Sequence, residues 1–189
     1  MRNYLYLFTL LFSLVSLADS PGEPSPDGKY HIYENCENEY GRDCTVYAKP
    51  TNGNVKTWII KEPFPSSASI EWYNNELAGI KVSCGSPCNA TFFFAPRKGV
   101  SIPYSLVLAV DISRQLVAVP EYDEKLDVRS VKVFSIFSQG KSVLEIKRNF
   151  SAYIQFVEKA EFDEQGNLHL SYWQGSEAKE TTKEIVKFK

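Results

Sequence analysis

The segment Ile70–Ala95, IEWYNNELAGIKVSCGSPCNATFFFA, decides how this chain is read. Two apolar runs flank Asn74-Asn75, a second pair flanks Gly85-Ser86-Pro87, and Cys84 and Cys88 stand at the ends of that second turn. Turn residues between β-rich runs mark antiparallel hairpins, so the segment reads as a strand meander pinned by a covalent bridge. Phe92-Phe93-Phe94 sets three large apolar side chains in a row. Consecutive strand residues face opposite sides, which predicts a strand buried on both faces. The segment contains no nucleophile and base pair, ligand cluster or phosphate loop.

The flanks continue the pattern. On the N-terminal side, Tyr30–Tyr33 and Thr45–Ala48 are short strand candidates around a polar loop from Cys36 to Cys44. Asn52-Gly53 then precedes Val55–Ile60, a strong hairpin signal, and Pro63 and Pro65 close that unit. On the C-terminal side, Arg97-Lys98-Gly99 turns the chain into Leu106–Val110, which is apolar on both faces and predicts a doubly buried strand. Leu116–Val119 follows, and then LDVRSVKVFSIF, whose alternation predicts a half-exposed strand. Val143–Ile146 and Tyr153–Phe162 are further runs, and Asp163–Asn167 is a polar turn before the alternating Leu168, Leu170 and Tyr172. Thr181, Thr182, Ile185 and Val186 favour a closing strand over a helix. The expected core is Trp72, Leu77, Leu108, Val110, Leu116, Val128, Phe162, Leu168 and Leu170.

No window beyond the first residues shows helical periodicity, so the fold class is all-β, built of antiparallel meanders with short connections. A faint repeat runs through it. Trp72 and Leu77, Val110 and Leu116, and Phe162 and Leu168 each bracket a polar turn that leads into an alternating strand. The pattern resembles degenerate β-propeller blades of secreted bacterial proteins and covers Tyr30 to Phe188. The resemblance implies a propeller-like arc of three or four blade units, since so few blades would close only a very small ring. A β-sandwich or small barrel is the alternative.

The chain opens with Met1–Ala18, in which Arg2 precedes an apolar run and Ser16 and Ala18 offer a small-residue cleavage site. This is the pattern of a secretory signal, and the run from Tyr4 to Leu17, about 14 residues, is short of the ~20 a spanning helix needs. Residues 19–29, DSPGEPSPDGK, read as a flexible leader, and residues 30–189 as one all-β domain. Removing the signal takes away one basic residue and leaves 20 basic against 23 acidic residues. That balance gives no electrostatic footprint for nucleic acid. No later apolar stretch is long enough to span a bilayer, and the expected location is the periplasm or the extracellular space.

Cys36, Cys44, Cys84 and Cys88 form two local pairs, and an even cysteine count in an exported chain implies disulfides. Local pairing, Cys36 with Cys44 and Cys84 with Cys88, is one of three connectivities. Loops of this length would each contribute about 2 to 2.6 kcal/mol through the unfolded state. Zinc would require closer cysteine spacing or a histidine pair, and the histidines are His31 and His169 alone. Both read as sheet-surface residues. Asp123-Glu124 and Asp163-Glu164 fall in turns, where Asp bonds its own backbone. Trp58, Trp72 and Trp173 could stack on sugars, but their apolar neighbours favour packing. Asn89 and Asn149 begin glycosylation sequons, which matter only in a eukaryotic source.

No catalytic residue, cofactor or metal is read from this sequence. The expected function is a non-enzymatic exported module that binds another protein of the envelope or extracellular space, in its most specific form an inhibitor or immunity protein. A glycan- or lipid-binding or envelope-structural protein is the alternative, and an assembled active site is the third class. The export reading is checked by N-terminal sequencing of exported material. Asp19 is expected as the first residue, and retention of Arg2 in a membrane fraction would overturn the cleavage.

Overall fold

A computed structural model of the chain describes residues 22–37, 42–85, 88–152, 155–175, 177–178 and 180–188. The signal reading falls outside them. Among the described residues there is no helix, and the strands form four antiparallel sheets, each a meander of chain neighbours. The first holds β1 (Glu23–Pro24), β2 (Tyr30–Cys36), β3 (Cys44–Pro50) and β4 (Thr57–Phe64). The second holds β5 (Ser69–Asn74), β6 (Leu77–Gly85), β7 (Cys88–Ala95) and β8 (Gly99–Val100). The third holds β9 (Ala109–Asp111), β10 (Leu116–Asp123), β11 (Val128–Ser135) and β12 (Ser142–Lys147), and the fourth β13 (Val157–Phe162), β14 (Leu168–Gln174) and β15 (Glu180–Val186).

Side-chain alternation makes each sheet pack on the next. In β6 and β7, Ala78, Ile80, Val82 and Phe94 turn toward the first sheet, where they meet Ile32, Val46 and Ala48. Leu77 and Phe93 turn the other way, onto Val117, Val119, Phe134 and Ile136 of the third sheet and its neighbouring loop. The third sheet's opposite face, with Ala118, Val131, Val133 and Ile146, packs on Leu168, Leu170 and Tyr172 of the fourth. The expectation for the phenylalanine triplet holds: Phe93 and Phe94 are buried on opposite faces and Phe92 is half-buried. The second and third sheets are covered on both faces, so the fold is a succession of layers and not the two layers of a sandwich. No barrel closes among the described residues.

The three hairpins that carry the sequence repeat, β5–β6, β9–β10 and β13–β14, open three successive sheets. In the first sheet the same place is taken by β1–β2, where Glu23 pairs with Ile32 and Pro24 with His31. Ordered pairing therefore begins inside the segment read as a leader. Ser25 and Asp27 hold that turn: the Ser25 hydroxyl donates to Asp27 Oδ1 at 2.8 Å and accepts from Tyr30 N at 3.0 Å.

Other local expectations are revised. Asn52-Gly53 lies in a connection that closes from Gly53 N to Pro50 O at 3.1 Å, outside a two-residue hairpin, because Pro50 has no N–H to extend the ladder. Pro63 does not close the unit but lies within β4, an edge strand that tolerates the missing donor. The Leu106–Val110 run is not doubly buried: Leu106 takes a positive φ of 50° and is 41% exposed, and β9 starts only at Ala109 on the sheet edge. β11 departs in the other direction, with Val131 and Val133 buried toward the fourth sheet and Phe134 toward the second. Of the expected core, Leu77, Leu168 and Leu170 are buried, while Trp72, Leu108, Val110, Leu116, Val128 and Phe162 are half-buried. Most of these six stand at or beside strand ends, next to solvent-facing turns. The closing strand at Glu180–Val186 is present as expected.

Leu170→Ala removes a side chain that is 2% exposed and is expected to cost about 2 to 5 kcal/mol. Leu108→Ala should cost less. Urea unfolding of both variants checks the ranking, and equal losses would mean that the half-buried face is tighter than its exposure indicates.

Candidate functional site

The opening turns of the first three sheets converge with the β7–β8 turn on a cleft of about 670 Å³. It is lined by Asp27, Lys29, Asn74, Glu76, Arg97 and Lys98 together with Tyr30, Asn75, Ala95, Pro96 and Gln115. The turns that build it are held by their own side chains. Asn74 Oδ1 accepts from Glu76 N at 2.8 Å, Asp27 Oδ1 accepts from Lys29 N at 3.2 Å, and Asp111 Oδ1 accepts from Arg114 N at 2.9 Å. Gly99, at a φ of 81°, lets the chain reverse after Lys98. Most charges in the cleft are engaged: Lys29 pairs with Asp27 at 2.9 Å, and Lys98 Nζ donates to Gln115 Oε1 of the next sheet. Arg97 is exposed, and among the described residues it has no hydrogen-bond or ion-pair partner. An unpaired guanidinium in a cleft can donate a bidentate fork of hydrogen bonds to a carboxylate.

A corresponding turn in the fourth sheet is tied to the third by Arg114. Its Nε meets Asp111 Oδ2 at 2.6 Å, its Nη2 donates to Gly166 O, and its guanidinium lies 5.0 Å from the Phe188 ring centroid. A Cβ at Gly166 would collide with that guanidinium, and the glycine's φ of 79° disfavours any side chain there as well. Burial alone would raise the Asp111 carboxyl, but hydrogen bonds from the Arg114 amide, Ser113 and the Arg114 side chain hold it below its ordinary value.

Cys36 and Cys44 are joined across the β2–β3 ladder, where they are register partners. The side chains of Cys84 and Cys88 lie outside the described residues, although Gly85 and Cys88 pair at the end of the β6–β7 ladder. Glu34 stands beside Cys36 and Cys44, but both sulfurs are spent in the disulfide and offer no thiolate to a metal. His31 lies on the outer face of the first sheet, with its Nδ1 3.3 Å from Thr51 Oγ1. Asp123 caps its own turn, accepting from Lys125 N at 3.0 Å and Leu126 N at 3.2 Å. Trp72 and Trp173 are half-buried, and Trp72 Nε1 donates to Glu23 O at 3.3 Å. Trp58 is 44% exposed. It packs edge-on to Tyr47, which in turn stacks on Tyr33 at 5.2 Å and carries Lys56 Nζ 4.1 Å from its centroid. Asn89 is half-buried and Asn149 exposed.

On the outer face of the fourth sheet, His169 Nε2 meets Asp163 Oδ2 at 2.9 Å. Ser171 shares that face, but its hydroxyl donates to Glu158 Oε2 at 2.8 Å and not to the imidazole, so no nucleophile is coupled to the histidine. Sequence reading placed Asp163 and His169 correctly in turn and strand and missed their contact, which the β13–β14 register creates. Arg97 was read only as a turn residue. Its lack of a partner has no signature in the sequence.

The chain matches no protein-family model and no curated protein sequence. Among the described residues, no helix is long and apolar enough to cross a membrane.

The Asp163 carboxyl is held down to about 2 from an ordinary 3.8, first by the Asn167 side chain and then by His169. The unfolded chain takes up this proton at higher pH than the folded one, so the stabilisation is present above pH 3.8 and is lost as pH falls toward 2. Asp163→Asn should therefore flatten the acid limb of the urea midpoint against pH across that window. An unchanged limb would show that the carboxylate bonds are not maintained in solution.

Proposed function

We propose that this protein is an exported, non-enzymatic module that binds another protein of the envelope or extracellular space, its four sheets acting as blades of an open, propeller-like arc. Three consecutive sheet-to-sheet cores support the arc, because each blade of a propeller packs only on its chain neighbours. Export is supported by the Cys36–Cys44 disulfide, a bond that persists in oxidising compartments. In its most specific form the reading is an inhibitor or immunity protein for an envelope target.

The observation that carries the binding reading is the cleft at the turn end of the first three sheets, with Arg97 unpaired within it. Its walls are self-capped turns, so little conformational entropy is lost on docking. Arg is among the residues that dominate binding when they enter a partner's pocket. A partner segment bearing a carboxylate fits this chemistry. The competing reading, a glycan or lipid ligand, draws on exposed Trp58. There, however, Tyr33 and Lys56 already occupy the neighbouring ring of Tyr47.

Affinity capture from envelope extract with the tagged mature chain tests the proposal. A single stoichiometric protein is expected, and Arg97→Ala should weaken its binding about 30-fold, the equivalent of a hot spot of about 2 kcal/mol. Recovery of glycan or lipid in place of protein, or a partner indifferent to Arg97, would overturn it.

A further inference from the structure

We infer that the outer face of the fourth sheet docks on the outer face of the first sheet of a second copy of this chain, joining copies head to tail. Within one chain, each sheet uses its forward face to cover the next sheet's rear face, three times in succession. No other sheet covers two faces among the described residues: the rear face of the first sheet, where Gly22 lies against the Tyr33 ring, and the forward face of the fourth. Placing one on the other repeats the sense of the internal interfaces.

The two faces differ in a way that suits each other. On β2 and β3 the rear-facing positions are His31, Tyr33, Asn35, Thr45, Tyr47 and Lys49, with Lys56 over the Tyr47 ring and no carboxylate among them. On the fourth sheet the forward face carries Glu158, Glu161 and Asp163, which meet Ser171, Lys159 and His169 within the face, and a further lysine, Lys183, a surplus of one carboxylate over the lysines. Each polar face also projects one exposed apolar side chain, Trp58 at 44% and Ile185 at 55%. Ile185 stands on the third strand of its sheet, and Tyr47, edge-on to Trp58 of the adjoining fourth strand, stands on the third strand of the first sheet, so stacking in the internal manner sets Ile185 over the Tyr47–Trp58 pair. Both faces keep their charges, unlike the internal interfaces, whose buried cores are apolar, which makes this a reversible association and not an obligate one. The contact is heterologous, so copies either close a ring or extend as a chain.

Sedimentation of the mature protein over a concentration series, from about 1 to about 100 μM, provides the test. The wild type is expected to associate with rising concentration. Trp58→Glu, which sets a carboxylate against the acidic face, and Ile185→Lys, which sets an ammonium against the basic face, should each be monomeric. Because Ile185 is exposed, the melting curve of Ile185→Lys should be unchanged, and Lys56→Glu replaces Trp58→Glu should loss of the Trp58 contact with Tyr47 unfold that variant. The decisive sample is the equimolar mixture: each variant retains one intact face, so the pair should form a complex of two chains and no more. A monomeric wild type, association that survives both substitutions, or a mixture that stays monomeric would each overturn the inference.

Discussion

The structure depends on strands whose two faces are both apolar. A sheet that buries one face makes at most one interface, and a chain of such sheets could only pair into sandwiches. β6, β7, β10 and β11 bury both. Leu77 and Ala78, Phe93 and Phe94, Val117 and Ala118, and Val133 and Phe134 are adjacent residues that serve different cores. The middle interface is reinforced by the loop after β8, where Tyr104 packs between Phe93 and Phe134 and donates its hydroxyl to Ile136 O at 2.9 Å. Burial raises that phenol above its ordinary value and keeps it a donor. A one-residue register slip in any of these strands would exchange the contents of two cores at once, so register is strongly constrained in the centre of the molecule.

Toward the two ends the constraint relaxes and polar chemistry takes over. The outer faces of the first and fourth sheets tolerate charge because no third layer lies over them among the described residues. The turns are stabilised locally, by Asn74, Asp27, Asp111 and Asp163 accepting from backbone amides a few residues on. Turns capped in this way do not need tertiary packing for their shape. They can therefore present Arg97 and its neighbours to solvent on locally held backbone.

Much of the fold was legible beforehand. Alternation and turn residues located most strands, the triplet at Phe92–Phe94 announced a doubly covered sheet, and the recurring pairs at Trp72/Leu77, Val110/Leu116 and Phe162/Leu168 marked the hairpins that open successive sheets. These features are local. A strand's period and a turn's chemistry are set by residues within reach of one another along the chain. The disulfide between Cys36 and Cys44 belongs to the same class, since a short loop between strand candidates already brings the thiols together.

What only the tertiary structure decided is which of two apolar faces meets which neighbour, and which polar groups are left without one. Leu106 and Leu108 looked as apolar as Val131 and Val133, yet an edge position and a positive φ leave the first pair partly exposed, while an interior strand encloses the second. Glu23 and Pro24 read as linker until β2 offered them a ladder. Arg97 and Arg114 are both turn arginines to a reader of the sequence. One finds Asp111, Gly166 and Phe188 across a sheet boundary and becomes structural; the other finds no partner and becomes available. Partners far apart in the chain are chosen by how layers stack, and stacking depends on the summed burial of whole faces, a quantity no single stretch of residues contains.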